Sequence, residues 1–389
     1  MTISIGIVGC GFAGLTSALF LAQRSHCQIT LYDRFETVQA VGAGILIQPS
    51  SQEVLKKLNL YDNLVESGEK VYVLKGLSHY QKQVFMTRYK DYQADSFGIG
   101  IHRSILFNLL YEACQKQGNI HFRLGEDIAP EHLPALQQQH DLVIIANGSH
   151  SQLRQSLPIA QSYSLYPYGC AWTSFAQNDY SLNQLSQYVR FSKEMFGVLP
   201  SGTINNQRMV SVFWSLPITQ KDTYSKEAMF SGMKHYLQHQ PGGESLLALI
   251  EQQDFAFAVY ADVQMKSYAH QNMVVIGDAA HGMSPQLGQG ANMALLDGYF
   301  LNKYLQLDSA ESIVQSIAHY SKERTQHLRF YSQASKFLTP LFQSNFIGHG
   351  LVRDALFSVS QKIPFSQKLS SHIMCGKRLG WWCGRELEY

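Results

Sequence analysis

The sequence predicts an α/β protein: a Rossmann-like parallel sheet, an inserted antiparallel sheet and a helical C-terminal part. Three observations predict it. Residues 5–8 form an apolar strand that runs into Gly9-Cys10-Gly11-Phe12-Ala13-Gly14, then a helix-like segment, then residues 29–32 closing on Asp33. Residues 141–146 and 273–276 read as strands buried on both faces. Residues 71–92 and much of 162–216 instead alternate apolar and polar side chains, as antiparallel strands with one wet face do.

Taken in order, residues 3–74 read as strand, helix, strand, a loop at Gly42-Ala43-Gly44 and a second helix near 51–58. Residues 103–117 form an amphipathic helix, and the strand at 141–146 ends in the turn Asn147-Gly148. The alternating pieces, 169–175 and 209–216 among them, predict one sheet assembled from separated segments. After the strand at 273–276 come a Gly-rich turn, a helix from about 291 to 305, and mostly helical spacing over 309–389. The chain therefore leaves its first domain and returns twice. The expected division is 1–75, 98–158 and 262–340 for the parallel-sheet domain, 76–97 and 159–261 for the inserted sheet, and 341–389 for the C-terminal helices.

Composition narrows the partners. The 389 residues carry a net charge of +2 with no block of like charge, which argues against a nucleic-acid surface. The six cysteines, Cys10, Cys27, Cys114, Cys170, Cys375 and Cys383, show no C-x-x-C pair or metal-ligand spacing, so neither a disulfide framework nor a metal site is expected. Residues 5–22 are uncharged and of transmembrane length, but no basic residue precedes them and three glycines and a Thr-Ser pair interrupt them. A buried strand plus its packed helix accounts for that run. The expectation is a cytoplasmic protein without an integral membrane segment.

The glycine spacing carries chemistry. Gly9 permits a tight turn, Gly11 lets backbone approach a pyrophosphate, Gly14 lets the helix pack closely on the strand, and Asp33 is placed to accept from a ribose hydroxyl. Phe12 and Ala13 complete the turn at the helix N-terminus, whose dipole faces the phosphate charge. A second block, Gly277-Asp278-Ala279-Ala280-His281, then Pro285, then Gly288-Gln289-Gly290-Ala291-Asn292 and Asp297, follows the strand at 273–276.

Together with Asp33-Arg34, the loop at Gly44, and His102-Arg103 with Leu106 and Leu110, these segments resemble the single-component FAD-dependent aromatic hydroxylases of the para-hydroxybenzoate hydroxylase type. The resemblance runs in order along nearly the whole chain, and the chain ends without the thioredoxin-like domain of the phenol-hydroxylase branch. It implies FAD as cofactor, NAD(P)H as co-substrate, molecular oxygen, and hydroxylation of a small aromatic or heteroaromatic substrate through a flavin C4a-hydroperoxide, by a monomer or homodimer. It implies cofactor contacts at Gly9, Gly11, Phe12, Ala13, Gly14, Asp33, Arg34, Gly44, Arg103, Asp278, Gly288, Gly290, Ala291 and Asn292. Asp278 is the ribityl candidate, backbone N–H groups of residues 288–292 face the flavin's pyrimidine edge for about 0.3–2 kcal/mol, and Pro285 with Gly288 lines the flavin pocket. For Arg103 the cofactor's ribityl and phosphate region is favoured over an ordinary helix-face cation, whereas Arg34 could equally be an ordinary surface cation.

Two departures from the family pattern stand out. Its Asp-Gly turn reads Asn147-Gly148 here, with Ser151 and Arg154 kept, which removes a charge while keeping an acceptor. Its Pro-Asn reads Pro49-Ser50-Ser51, for which a hydroxyl helix cap is expected. His281 is expected to make a structural hydrogen bond. Tyr168, Trp172, Phe196, Phe213 and Trp214 are expected mostly in the core, with one face of their sheet roofing the flavin. No catalytic base is identifiable, and Trp381-Trp382 is read as a packed aromatic tail. Related possibilities on this fold are quinone-pathway hydroxylases, polyprenyl reductases and halogenases; another is a non-catalytic FAD-binding sensor.

Overall fold

The computed structural model describes residues 2–38, 42–177, 183–360, 363–381 and 385–389. Its first sheet has six strands in the order Ala269–His270, Met273–Val275, Leu142–Ile145, Ile3–Val8, Cys27–Asp33, Ile120–Leu124. All neighbours run parallel except the first pair. Ile5, Ile7 and the whole Leu142–Ile145 strand are buried, because helices cover both faces and leave no wet side to be polar. The helix Phe12–Ala22 is buried along its entire length between this sheet, Arg103–Gln115 and Gly290–Tyr304. That enclosure is why residues 5–22 could be uncharged without spanning a bilayer. Among the described residues no helix is long and apolar enough to cross a membrane.

The second sheet has seven strands in the order Ala256–Met265, Gln161–Ala176, Gln207–Pro217, Glu194–Ile204, Gln184–Arg190, Val73–Ser78, Gln83–Arg88. It is assembled from separated pieces, as the alternating patterns predict. One pair, Gln184–Arg190 with Val73–Ser78, is parallel rather than antiparallel. More than a hundred residues separate those two strands, and the chain between them passes through the first sheet, so no hairpin sets their direction. A third, three-stranded sheet joins Gly44–Ile47, Gly98–His102 and Glu69–Val71, strands too short to show a period in the sequence.

The outer face of the second sheet is covered by Lys226–Leu237 and Gly243–Glu251, helices not read from the sequence. Phe196, Trp214, Tyr188 and Val212 pack there against Met233, Tyr236 and Leu246 in a core of their own. The C-terminal part is helical over Ala310–Phe342, Ile347–Ser360 and Pro364–Met374. Trp381 packs edge-on against Phe330 at 5.1 Å, while Trp382 and Cys383 lie outside the described residues.

The helix Pro49–Lys57 corrects one expectation. Its N-cap is Gln48, with no side-chain cap, and the Ser51 hydroxyl donates instead to the Asn292 carbonyl at 3.3 Å. Pro49 occupies the first helical turn, where its missing N–H needs no partner and its fixed φ already suits the helix. The hydroxyl is thereby free to tie two helices together.

Candidate active site

The cradle is built as its glycines require. Gly9 turns at φ +111°, and a Cβ there would meet the Ala146 carbonyl oxygen at 2.5 Å. A Cβ on Gly14 would meet the Gly9 carbonyl oxygen at 2.0 Å, which is the close approach of helix to strand. Gly11 differs from both, since a Cβ on it would meet nothing within 4 Å and would project into open space. That space is part of one cavity of about 1310 Å³, larger than the roughly 300–1,000 Å³ of a site for one drug-sized ligand.

Gly9, Gly11, Phe12, Ala13, Asp33, Arg34, Gly44 and Arg103 line this cavity, as do Asp278, Pro285, Gly288, Gly290 and Ala291. Asp33 and Asp278, 245 residues apart in sequence by subtraction of their numbers, therefore face one chamber. Asp33 is held by backbone: its Oδ2 accepts from the Cys10 N–H at 2.8 Å and its Oδ1 from the Phe35 N–H at 3.1 Å. Arg103 lies with its guanidinium 5.0 Å from the Phe12 ring, at the glycine turn. Gly288 takes the left-handed conformation at φ +60°, between the turn Pro285–Leu287 and the helix Gly290–Tyr304, and a Cβ on it would also meet nothing. These two open glycines are the cradle a dinucleotide needs, and the residues present fit FAD on that ground.

Gly14 and Asn292 sit behind the cavity wall. Asn292 is fully buried; its Oδ1 accepts from the Gln48 N–H at 2.9 Å and its Nδ2 donates to the Leu46 carbonyl at 3.1 Å. It fastens the Gly44–Ile47 strand to the helix that follows Gly288. Of the aromatic residues in the alternating region, Trp172 and Phe213 line the cavity, whereas Phe196 and Trp214 are in the outer core. Tyr168 is buried with its hydroxyl donating to Asn345 at 3.3 Å.

Beneath the Gly277–Asp278 turn lies a buried network in which His281 makes the structural hydrogen bond expected of it, while the convergence of Asp297, Arg324 and His327 on it is not legible in the sequence. Asp297 Oδ2 accepts from the Gly277 N–H at 2.8 Å and pairs with His281 Nε2 at 2.5 Å. Its Oδ1 accepts from Arg324 Nε and Nη2 at 3.0 and 2.9 Å. Burial works to raise the Asp297 carboxyl, but His281 and Arg324 outweigh it and hold the group well below the usual carboxylate range. Arg324 Nη1 donates to His327 Nδ1 at 2.7 Å, and His327 Nε2 donates to the Gly376 carbonyl at 3.0 Å. Burial, then the facing Arg324, keeps His327 well below the ordinary imidazole value and neutral.

The turn at Asn147-Gly148 is fastened to the same block. Ser151 caps the following helix through the Arg154 N–H at 3.0 Å, and the buried Arg154 guanidinium donates to the Ser149 and Ala279 carbonyls at 2.7 and 3.1 Å. Cys170 faces the cavity, but burial pushes its thiol up to about 12, so it offers no thiolate.

Fold and site together define a flavoprotein of the FAD-dependent monooxygenase class, an enzyme class. The chain belongs to the family described as FAD binding domain, whose model matches residues 2–335. It is similar to a flavin-dependent monooxygenase from an unknown prokaryotic organism, 24% identical over 345 residues, covering 82% of this chain and 84% of the relative. It is also similar to a salicylate hydroxylase from Pseudomonas putida, 23% identical over 338 residues, covering 77% and 76%. Among solved structures, the tetrameric form of 2-methyl-3-hydroxypyridine-5-carboxylic acid oxygenase superposes with a TM-score of 0.74 at 18% identity, over 95% of this chain and 96% of that one, a likeness of fold.

Proposed function

We propose that this protein hydroxylates a small aromatic or heteroaromatic molecule, using FAD as cofactor and NAD(P)H and O2 as co-substrates. The observation that carries the reading is the single cavity that joins Asp33, Gly11 and Arg103 to Asp278, Pro285 and Gly288 and continues under the second sheet. When bound, FAD supplies the redox chemistry, passing two electrons from NAD(P)H to O2 so that one oxygen atom enters the ring and the other leaves as water. Everything else falls to the chain. Asp33 would accept from the adenosine ribose, with Arg34 beside it. The Gly9-to-Gly14 turn, including Phe12 and Ala13, would present backbone N–H groups to the pyrophosphate, and Arg103 would add its charge there. Asp278 would accept from the ribityl hydroxyls. Gly290 and Ala291 would set N–H groups against negative charge at the ring, with Pro285, Gly288 and Gly44 shaping the walls and Asn292 holding that helix end in place.

The second sheet contributes an apolar roof that excludes water and positions the substrate ring. The test is direct. Purified protein is expected to be yellow, and with a substrate it consumes NAD(P)H and O2 in equal amounts with a product heavier by one oxygen atom. A protein that is colourless and does not take up FAD refutes the reading.

A further inference from the structure

Charge is unevenly distributed around the cavity. Its acidic and basic lining residues among the described ones are Asp33, Arg34, Arg103, Glu126, Asp127 and Asp278, with His150 on the Asn147-Gly148 turn. All of them belong to the parallel-sheet side: the ends of its strands, the loop after Ile120–Leu124, and the first turns of two of its helices. The part of the cavity under the second sheet and the C-terminal helices is lined by apolar side chains, Leu185, Met195, Leu199, Phe213, Phe342 and Met374 among them, and by uncharged polar ones. No Lys, Arg or His among the described residues lines that part.

A carboxylate moved from water into such a chamber keeps its charge only if a cation or several donors replace its hydration; unpaired, the transfer costs several kcal/mol. The relatives named for salicylate and for a pyridinecarboxylic acid act on carboxylated rings. Among the described residues the roof has no cation to pair with that group, and its neutral donors do not replace the missing counter-charge.

What the roof offers is a neutral hydrogen-bonding cluster. Gln343, at the end of the helix Ala310–Phe342, accepts at Oε1 from the Tyr166 hydroxyl and from Gln286 Nε2, each at 2.5 Å. Its Nε2 donates to Ser215 Oγ. Gln286 follows Pro285 directly, so four elements converge beside the residue expected nearest the reacting ring. With the Gln343 oxygen already serving two donors, the cluster retains a second N–H on each amide and the Ser215 hydroxyl to offer a ligand. Either orientation of the two amides leaves it uncharged.

We infer that the substrate is an uncharged aromatic ring with apolar substituents, whose hydroxyl or carbonyl oxygen is read by Gln286, Gln343 and Ser215, and that aromatic acids are rejected. The inference rests on the hydroxylase reading and names the substrate class of the same site.

The test is isothermal titration calorimetry of the purified protein, as isolated with its bound cofactor, with pairs of similar size at pH 7. One pair is 4-ethylphenol against 4-hydroxybenzoate; a second is 4-butylphenol against 3-(4-hydroxyphenyl)propanoate. The phenol of each pair is expected to bind at least about tenfold tighter, a factor that the cost of desolvating an unpaired carboxylate readily supplies. Gln286→Leu, a partly exposed position, is expected to weaken 4-butylphenol about 2- to 10-fold, the worth of one neutral hydrogen bond, while leaving butylbenzene unchanged. Acids that bind as well as phenols, or phenols that do not bind at all, overturn the inference even in a yellow protein. Calorimetry needs no flavin signal, so a protein that prefers phenols yet holds no FAD would overturn the hydroxylase reading alone.

Discussion

Gly11 and Gly14 lie three residues apart in one motif, yet the structure gives them opposite consequences when a methyl group is added. At Gly14 the new Cβ would sit 2.0 Å from the Gly9 carbonyl oxygen, a backbone atom that cannot rotate away. The helix must retreat from the strand. Overpacking of this kind costs about 3 kcal/mol at the upper end, offset by about 1 kcal/mol from replacing a helical glycine with alanine. A net loss of about 2 kcal/mol follows. With an unfolding entropy near 2.1 cal/mol/K per residue, 389 residues give about 0.8 kcal/mol/K, and Tm falls by about 2–3 °C. At Gly11 the backbone is extended, φ −80° and ψ −176°, so alanine fits without strain. Apo stability is unchanged or rises by about 0.4–1 kcal/mol. The methyl instead occupies the side from which a pyrophosphate would approach. Losing one charge-assisted hydrogen bond, about 1.5–3 kcal/mol, weakens FAD about 10- to 150-fold. Melting of the apoprotein by scanning calorimetry, with FAD titration followed by quenching of flavin fluorescence, separates the two effects. Wild-type FAD affinity in Gly11→Ala, or unaltered apo melting in Gly14→Ala, would refute the reasoning.

Three other outcomes are expected. Asp297→Asn leaves Arg324 buried without its counter-charge, a loss of about 3–5 kcal/mol that urea titration reads as a lower midpoint at pH 7; an unmoved midpoint would show that the carboxylate is dispensable. Burial holds His327 neutral in the fold, and His102 and His140 are lowered in the same direction, while all three regain protons near 6.5 when unfolded. Below pH 6.5 the unfolded chain therefore binds more protons, and Tm should fall as pH drops from about 6.5, with Asp297 adding a further loss only below about 4. A Tm that stays level between pH 6.5 and 5 contradicts this. Finally, Asp278 is exposed in the cavity, so Asp278→Ala should weaken FAD about tenfold without lowering apo Tm; a lowered apo Tm would make the residue structural.

Legibility followed sequence distance. The turn from Gly9 to Gly14 and its acid at Asp33 could be read because the whole unit is local: strand, turn, helix and strand within 33 residues. The helix expected over 103–117 is found at Arg103–Gln115. The helices Lys226–Leu237 and Gly243–Glu251 do carry a local signal in the sequence. Ser225 caps the first, and Met229, Met233, Tyr236 and Leu237 mark one face. Gln286 sits beside a motif residue and could have been flagged. Ser215 and Gln343 could not, since 128 residues separate them and neither lies in a pattern.

The sequence by itself determined the class of the fold, the glycine turn and the family, because those depend on backbone conformations that only glycine permits and on periodicities that persist over a few turns. Only the tertiary structure decided which aromatic residues face the cavity, that Asn292 and Gly14 stand behind its wall, and that among the described residues no charged side chain of the roof lines it. Those properties arise where strands from distant parts of the chain pair. Which face of such a strand meets the ligand is set by register and by whatever covers the other side.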